Sequence, residues 1–374
     1  MPRRHAQRKR FLSINASADC LTISIITSPQ IVGYETYNIT QPSAQQLVIQ
    51  NYAPTIDKSV MADNTKSHHL LILSRLDQAH YIELVMQPKS QQLVSVIHVA
   101  GADAAKFLQG QLTADVVNLA PMQWCYAGHC DAKGKLWAVM RVVKTGNDFY
   151  LLIDPESSDA SLTQLKKFSV FSQVTFSDIS GEVSAVFKTT SPLPLHQVEQ
   201  HAQVLAIGFG PSSLHIDLAP QAVAADHGSQ HLDAWQRFEL ETGVPRLAPE
   251  TIAEYVPQMV GLDRLGGINF KKGCYIGQET VARMHYLGQN KRAPRLLTGS
   301  LGQSNHTMPA PGTVLEQKLG DNWRRAGAVI NAVRYDSSEV GVLAVLPADI
   351  QDDTNIRIKG DEQSVLTLRP KFDN

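Results

Sequence analysis

The chain has no stretch of apolar residues approaching the ~18 needed to cross a bilayer as a helix, and it reads as a soluble protein. Cysteine is scarce. Cys20, Cys125, Cys130 and Cys274 are the only four in 374 residues, too few for a disulfide framework at this length. A reducing, cytoplasmic compartment is therefore expected. Charge of one sign is also lacking: the formal net charge is −1, so no global field steers the protein toward nucleic acid or a membrane. Any anion site must be a local patch. Cys125, His129 and Cys130 offer three ligand atoms without the paired spacing of structural zinc, and no metal site is expected. There is no G-x-G-x-x-G fingerprint and no G-x-S-x-G elbow. The stretch from Gly128 to Lys135 is one residue too long for a phosphate loop and has no Ser or Thr after its lysine.

What is present is ordinary in bulk: 43% hydrophobic and 18% charged residues, in a chain long enough for two or three domains. The start is unusual. Arg3, Arg4, Arg8, Lys9 and Arg10 all precede the first acid, Asp19. Residues 1–60 read as an N-terminal extension: an organelle transit peptide, with an organelle matrix as the compartment, a solvated tail, or a start placed upstream of a true one at Met61 or Met86. Leu21, Ile23 and Ile25 alternate there and suit pairing as strands.

Further on, Leu93 to Val99 reads as a strand, and Asp103 suits the cap of a helix carrying Phe107 and Leu108. Leu136 to Val143 and Phe149 to Ile153, joined by a polar turn, read as a hairpin, followed by an amphipathic helix from Ser158 to Phe168. Strands are expected near Val174–Phe176 and Val183–Phe187, and helices at Leu232–Thr242 and Gly277–Tyr286. From Leu296 on, short strands alternate with Gly, Pro and Asp, as in a small β-barrel. Strands and helices intermix without regular βαβ units, so the class is α+β.

The most informative run is Lys271-Lys272-Gly273-Cys274-Tyr275-Ile276-Gly277-Gln278-Glu279. Glycines permit backbone angles closed to other residues, and lysines beside a helix N-terminus favour a thiolate. The run reads as a tight turn presenting a reactive sulfur, or as a structural cysteine in a glycine-rich turn. Between Lys271 and Arg295 six cations face one acid, Glu279, with Tyr275 and Tyr286 interleaved. Such a segment can hold an anionic tail or a weakly bound RNA, or form a solvated helix face. Glu279 itself reads as a plain helix-start acid.

This run resembles the signature of the YgfZ family, folate-binding proteins related to the glycine-cleavage T-protein. Gly101-Ala102-Asp103 with Phe107 to Asp115, His129 to Lys135, and Trp235 to Pro245 followed by Leu265 to Arg292 resemble its other blocks. The resemblance implies a three-lobed T-protein architecture, with a folate-binding region of two interwoven α+β lobes over 61–292 and a C-terminal β-barrel over 293–374. It implies a folate-binding accessory protein that supports iron–sulfur enzyme assembly or repair, including tRNA-thiolating enzymes, and thereby tRNA modification. The cofactor implied is tetrahydrofolate or a derivative. Trp235 and Glu241 would hold its pterin, and Lys271, Lys272, Tyr275 and Arg292 its remainder, with Cys274 as a redox or cluster-related thiolate. Two departures stand out. The family's second tryptophan falls at about Val94, and no tryptophan precedes Trp124. No acid lies between Asp131 and Asp148, where the T-protein carries an acidic pair. A folate-dependent aminomethyl or methyl transferase is thus the alternative reading, lacking the partner for a developing cation.

Overall fold

A computed structural model describes residues 92–220, 229–288, 290–302 and 307–372, and before them the backbone of six short strands. The chain divides into two compact units, Met1–Gln87 and Pro88–Asn374. In the first, β1 (Phe11–Ser17), β2 (Cys20–Ile26), β3 (Glu35–Thr40) and β4 (Val48–Gln50) form an antiparallel sheet in that order. β5 (His69–Ile72) pairs with β6 (Ile82–Val85). The basic residues 1–10, Met61 and Met86 lie outside the described residues.

The second unit carries two antiparallel sheets and a barrel. The first sheet has β7 (Ser95–Ala100), β8 (Gln123–Cys130), β9 (Leu136–Thr145), β10 (Asp148–Ile153) and β11 (Thr175–Asp178), in the order β11-β7-β10-β9-β8. The β9–β10 hairpin turns on Gly146 at φ 60, the left-handed angle its first central position needs. One face of this sheet packs against α1 (Ala104–Gln111) and α2 (Pro155–Phe168) through Ile97, Val99, Leu108, Leu162 and Leu165. Asp154 caps α2 by accepting from the Glu156 backbone N–H, and Pro155 fits its first turn. Asp103 behaves otherwise. It precedes α1 but makes no capping bond, because its carboxylate accepts from the Gln173 N–H at 2.8 Å.

The second sheet is β12 (Ser184–Lys188), β13 (Val198–His201), β14 (Val204–Gly208) and β15 (Ser213–Asp217), in the order β12-β15-β14-β13, with α3 (Ser229–Glu241) against β12. After α4 (Gln278–Tyr286), six strands close a barrel: β16 (Arg292–Ser300), β17 (Val314–Leu319), β18 (Asn322–Arg334), β19 (Val340–Pro347), β20 (Ile356–Ile358) and β21 (Asp361–Leu368). Alternate residues such as Leu297, Val329, Val342, Ala344 and Leu366 fill it. The largest core, with Trp124, Phe187, Phe209 and Trp235 from the sheets and α3 and Ile330 and Val345 from the barrel, joins all three lobes. The architecture is α+β with three lobes.

Candidate functional site

Three distant segments meet at the cysteine run. Asn269 Oδ1 accepts from the backbone N–H of Lys271 at 2.8 Å and of Lys272 at 3.0 Å, fixing the turn before the sulfur. Lys272 reaches into the segment after α1, where its ammonium donates to the carbonyls of Leu112 and Ala114, each at 2.6 Å. Thr113 lies between those carbonyls and donates to Gly267 O at 2.5 Å. Beyond the sulfur, Ile276 N–H donates to Gly110 O. Gly277, at φ 82, then meets the turn in which Asp131 Oδ1 accepts from Lys133 and Lys135. A Cβ on Gly277 would sit 2.5 Å from Asp131 O, and one on Gly134 2.8 Å from Thr280. Of the two glycines that flank the sulfur, Gly277 therefore needs a glycine's freedom, while Gly273 takes no left-handed angle and faces open space. The three sequence blocks are thus one physical object.

Cys274 is exposed, four residues ahead of α4, whose first-turn Glu279 pairs with Arg283 at 2.7 Å on the solvent face. Cys125 is partly buried and Cys130 buried, and burial raises both thiol pKa values, Cys125 to about 12. Iodoacetamide at neutral pH is therefore expected to alkylate Cys274 about tenfold or more faster than Cys125 or Cys130. Peptide mapping by mass spectrometry over time checks this; Cys125 reacting at the same rate would contradict it.

The cations of the segment divide sharply. Lys272 is buried, and burial lowers its pKa to about 8. It is spent on the two carbonyls and is not free for a ligand's anionic tail. Arg292 donates to Ala326 O, and Arg295, 2% exposed, donates to Asp352 and to the Arg369 carbonyl inside the barrel wall. Lys271 and Lys291 remain exposed, as does Arg283 in its pair with Glu279. Tyr275 is buried, its ring 5.1 Å from the Lys272 ammonium, and burial raises its pKa.

An open cavity of about 560 Å³ adjoins the loop. Lys271, Asn269, Asp115 and Cys125 line it, with the rings of Phe270, His285 and Tyr286. Phe270 and His285 stack at 3.8 Å and 15°. Of the six residues expected to hold a folate, only Lys271 lines this cavity.

Trp235 lies elsewhere. Its indole is 0% exposed, ringed by Phe187, Phe209 and Phe238, with the Arg141 guanidinium 4.7 Å over the ring. Arg141 on β9 donates to Glu239 Oε1 at 3.0 Å and to the Tyr126 hydroxyl at 3.4 Å. Arg246 sits between Asp154 Oδ2 at 2.5 Å and Glu239 Oε2 at 3.5 Å. Burial raises the Glu239 pKa, while Arg141 and Arg246 oppose it. The void these groups enclose, walled also by Leu93 and Val94, measures about 10 Å³, room for one water. No pterin fits beside Trp235 as it stands. Glu241 is exposed on the other side of α3, where it hydrogen-bonds Tyr335, whose pKa burial and this carboxylate push up to about 12. The acid buried next to the indole is Glu239, two residues earlier. Arg141, Asp154, Glu239 and Arg246 escaped the sequence reading, and only the burial of so many charges in one core reveals them.

Two antiparallel α+β lobes carrying a six-stranded barrel are the fold of the glycine-cleavage aminomethyltransferases. The aminomethyltransferase T of Bartonella henselae matches with a TM-score of 0.55 at 14% identity, over 75% of this chain and 84% of that one. Sequence narrows the class. Residues 290–361 match the YgfZ β-barrel domain. The tRNA-modifying protein YgfZ of Aliivibrio fischeri is 36% identical over 282 residues, 71% of this chain and 86% of its own length. That of Escherichia coli is 34% identical over 293 residues, 73% and 88%. The chain belongs to the YgfZ family. Among the described residues, no helix is long and apolar enough to cross a membrane.

Proposed function

We propose that the protein is a folate-binding accessory factor of the cytoplasm that supports iron–sulfur enzymes, the tRNA-thiolating ones among them, and through them tRNA modification. The observation that carries this reading is Cys274: an exposed thiol on a loop fixed on both flanks, in a chain whose relatives are tRNA-modifying proteins. In this reading Cys274 engages a sulfur- or cluster-bearing client, with Lys271, three residues earlier, as an exposed cation on the same loop. Folate rests on the family resemblance and the shared fold. It requires an arrangement other than the sealed core around Trp235, and no step is assigned to it.

Expression in an E. coli strain lacking its own relative tests the reading. Wild-type protein is expected to restore thiolated tRNA nucleosides, measured by mass spectrometry, and Cys274→Ser at equal protein level to restore them severalfold less. Equal restoration removes the thiol from the mechanism. Equilibrium dialysis tests folate separately, and the absence of tetrahydrofolate binding at millimolar concentration would remove that ligand.

A further inference from the structure

We propose that the open cavity beside the cysteine loop binds a nucleotide unit with an amino-bearing base, its ring against Tyr286 and His285, its amine on Asp115 and its phosphate on Lys271. The cavity's volume, about 560 Å³, lies within the ~300–1,000 Å³ of small-molecule sites. Its wall is aromatic on one side. Phe270 and His285 stack at 3.8 Å, and Tyr286 stands edge-on to His285 at 4.8 Å and 79°. Tyr286, which lines the cavity, is 66% exposed, a large unburied aromatic surface. Flat ligands with a π-face are what such a wall selects.

The polar groups are few and of fixed character. Asp115 accepts from Gln109 Nε2 at 3.0 Å and Asn118 Nδ2 at 2.8 Å, and the hydrogen bond from Asn118 helps hold its pKa below the usual carboxylate value. It is an ionised acceptor; with the Asn118 backbone N–H also on Oδ1 at 3.5 Å, one lone-pair position on Oδ2 is left for an exocyclic amine. Asn269 has given its carbonyl to the Lys271 and Lys272 amides, which leaves its Nδ2 as a donor for a ring nitrogen or carbonyl. Lys271 is the exposed cation of the lining. The cavity opens to solvent, so the unit can be a free nucleotide or a base turned in from an RNA strand. This assignment does not depend on folate binding, and only its RNA form draws on the role in tRNA modification.

Isothermal titration of the full chain with CMP, UMP and a short single-stranded oligocytidylate tests it. CMP is expected to bind more tightly than UMP, and Tyr286→Ala and Lys271→Ala each to weaken CMP about tenfold. Both side chains are exposed, so an unchanged thermal melt will show that the variants fold. CMP as tight as the oligomer identifies a free nucleotide. An oligomer tighter by about tenfold or more, with affinity falling as salt rises, identifies RNA. The assignment is overturned by no binding of any of the three at millimolar concentration, by equal affinity for CMP and UMP, by unaffected variants, or by displacement of CMP with tetrahydrofolate. That last result would make the cavity the folate site. Loss of folate binding elsewhere, with CMP still bound, would overturn only the folate reading.

Discussion

Glu239→Ala is expected to cost about 3–5 kcal/mol of stability, the usual penalty for stranding a buried charge. Arg141 would lose its carboxylate partner and keep only a 3.4 Å bond to the Tyr126 hydroxyl, in a site walled off from water. Arg246 would retain Asp154. A fall in melting temperature on the order of 10 °C is the corresponding readout by circular dichroism. The pair, not either charge, is what the core tolerates. Arg141→Met combined with Glu239→Leu should therefore be less damaging than Glu239→Ala alone. A double variant at least as destabilised as Glu239→Ala would mean that the ion pair itself, and not the avoidance of an orphan charge, stabilises the joint between β9 and α3.

The second large effect concerns the tryptophan. Trp235→Ala should cost about 3–5 kcal/mol, since it removes a fully enclosed indole from the core shared by all three lobes. Three phenylalanine rings and one guanidinium pack on it and cannot collapse together into the gap. A thermal melt checks this, and a loss of only a few tenths of a kcal/mol would show the ring to be less enclosed than it is here. The order of effects matters for ligand studies. A Trp235→Ala protein that fails to bind folate would first have to be shown to be folded.

Much of the fold was legible because local chemistry and tertiary structure agree. The β9–β10 hairpin follows from a polar, glycine-containing turn between apolar runs, and α3 ends before Gly243, at φ 69. The barrel follows from short strands punctuated by Gly, Pro and Asp. The cysteine loop was legible as a turn, and its neighbours as motif blocks, but not the reason the blocks exist. Lys272 shows why: its partners, Leu112 and Ala114, lie 160 and 158 residues away and are carbonyls, which every residue has. The same holds for Arg141 and Glu239, 98 residues apart on a strand and a helix with nothing local to join them. Trp235 and Glu241, paired as pterin contacts by the resemblance alone, part company in the structure. Six positions separate them on one helix, yet one side chain enters the core and the other meets Tyr335 at the barrel. A resemblance matches residue types to positions and says nothing of whether each side chain opens on a ligand or on another lobe.

Backbone meeting backbone at Gly134 and Gly277 leaves no slack in the segment that carries the sulfur. A thiol anchored this way is expected to react without a prior loop rearrangement, so its alkylation rate should rise in proportion to reagent concentration and show no plateau.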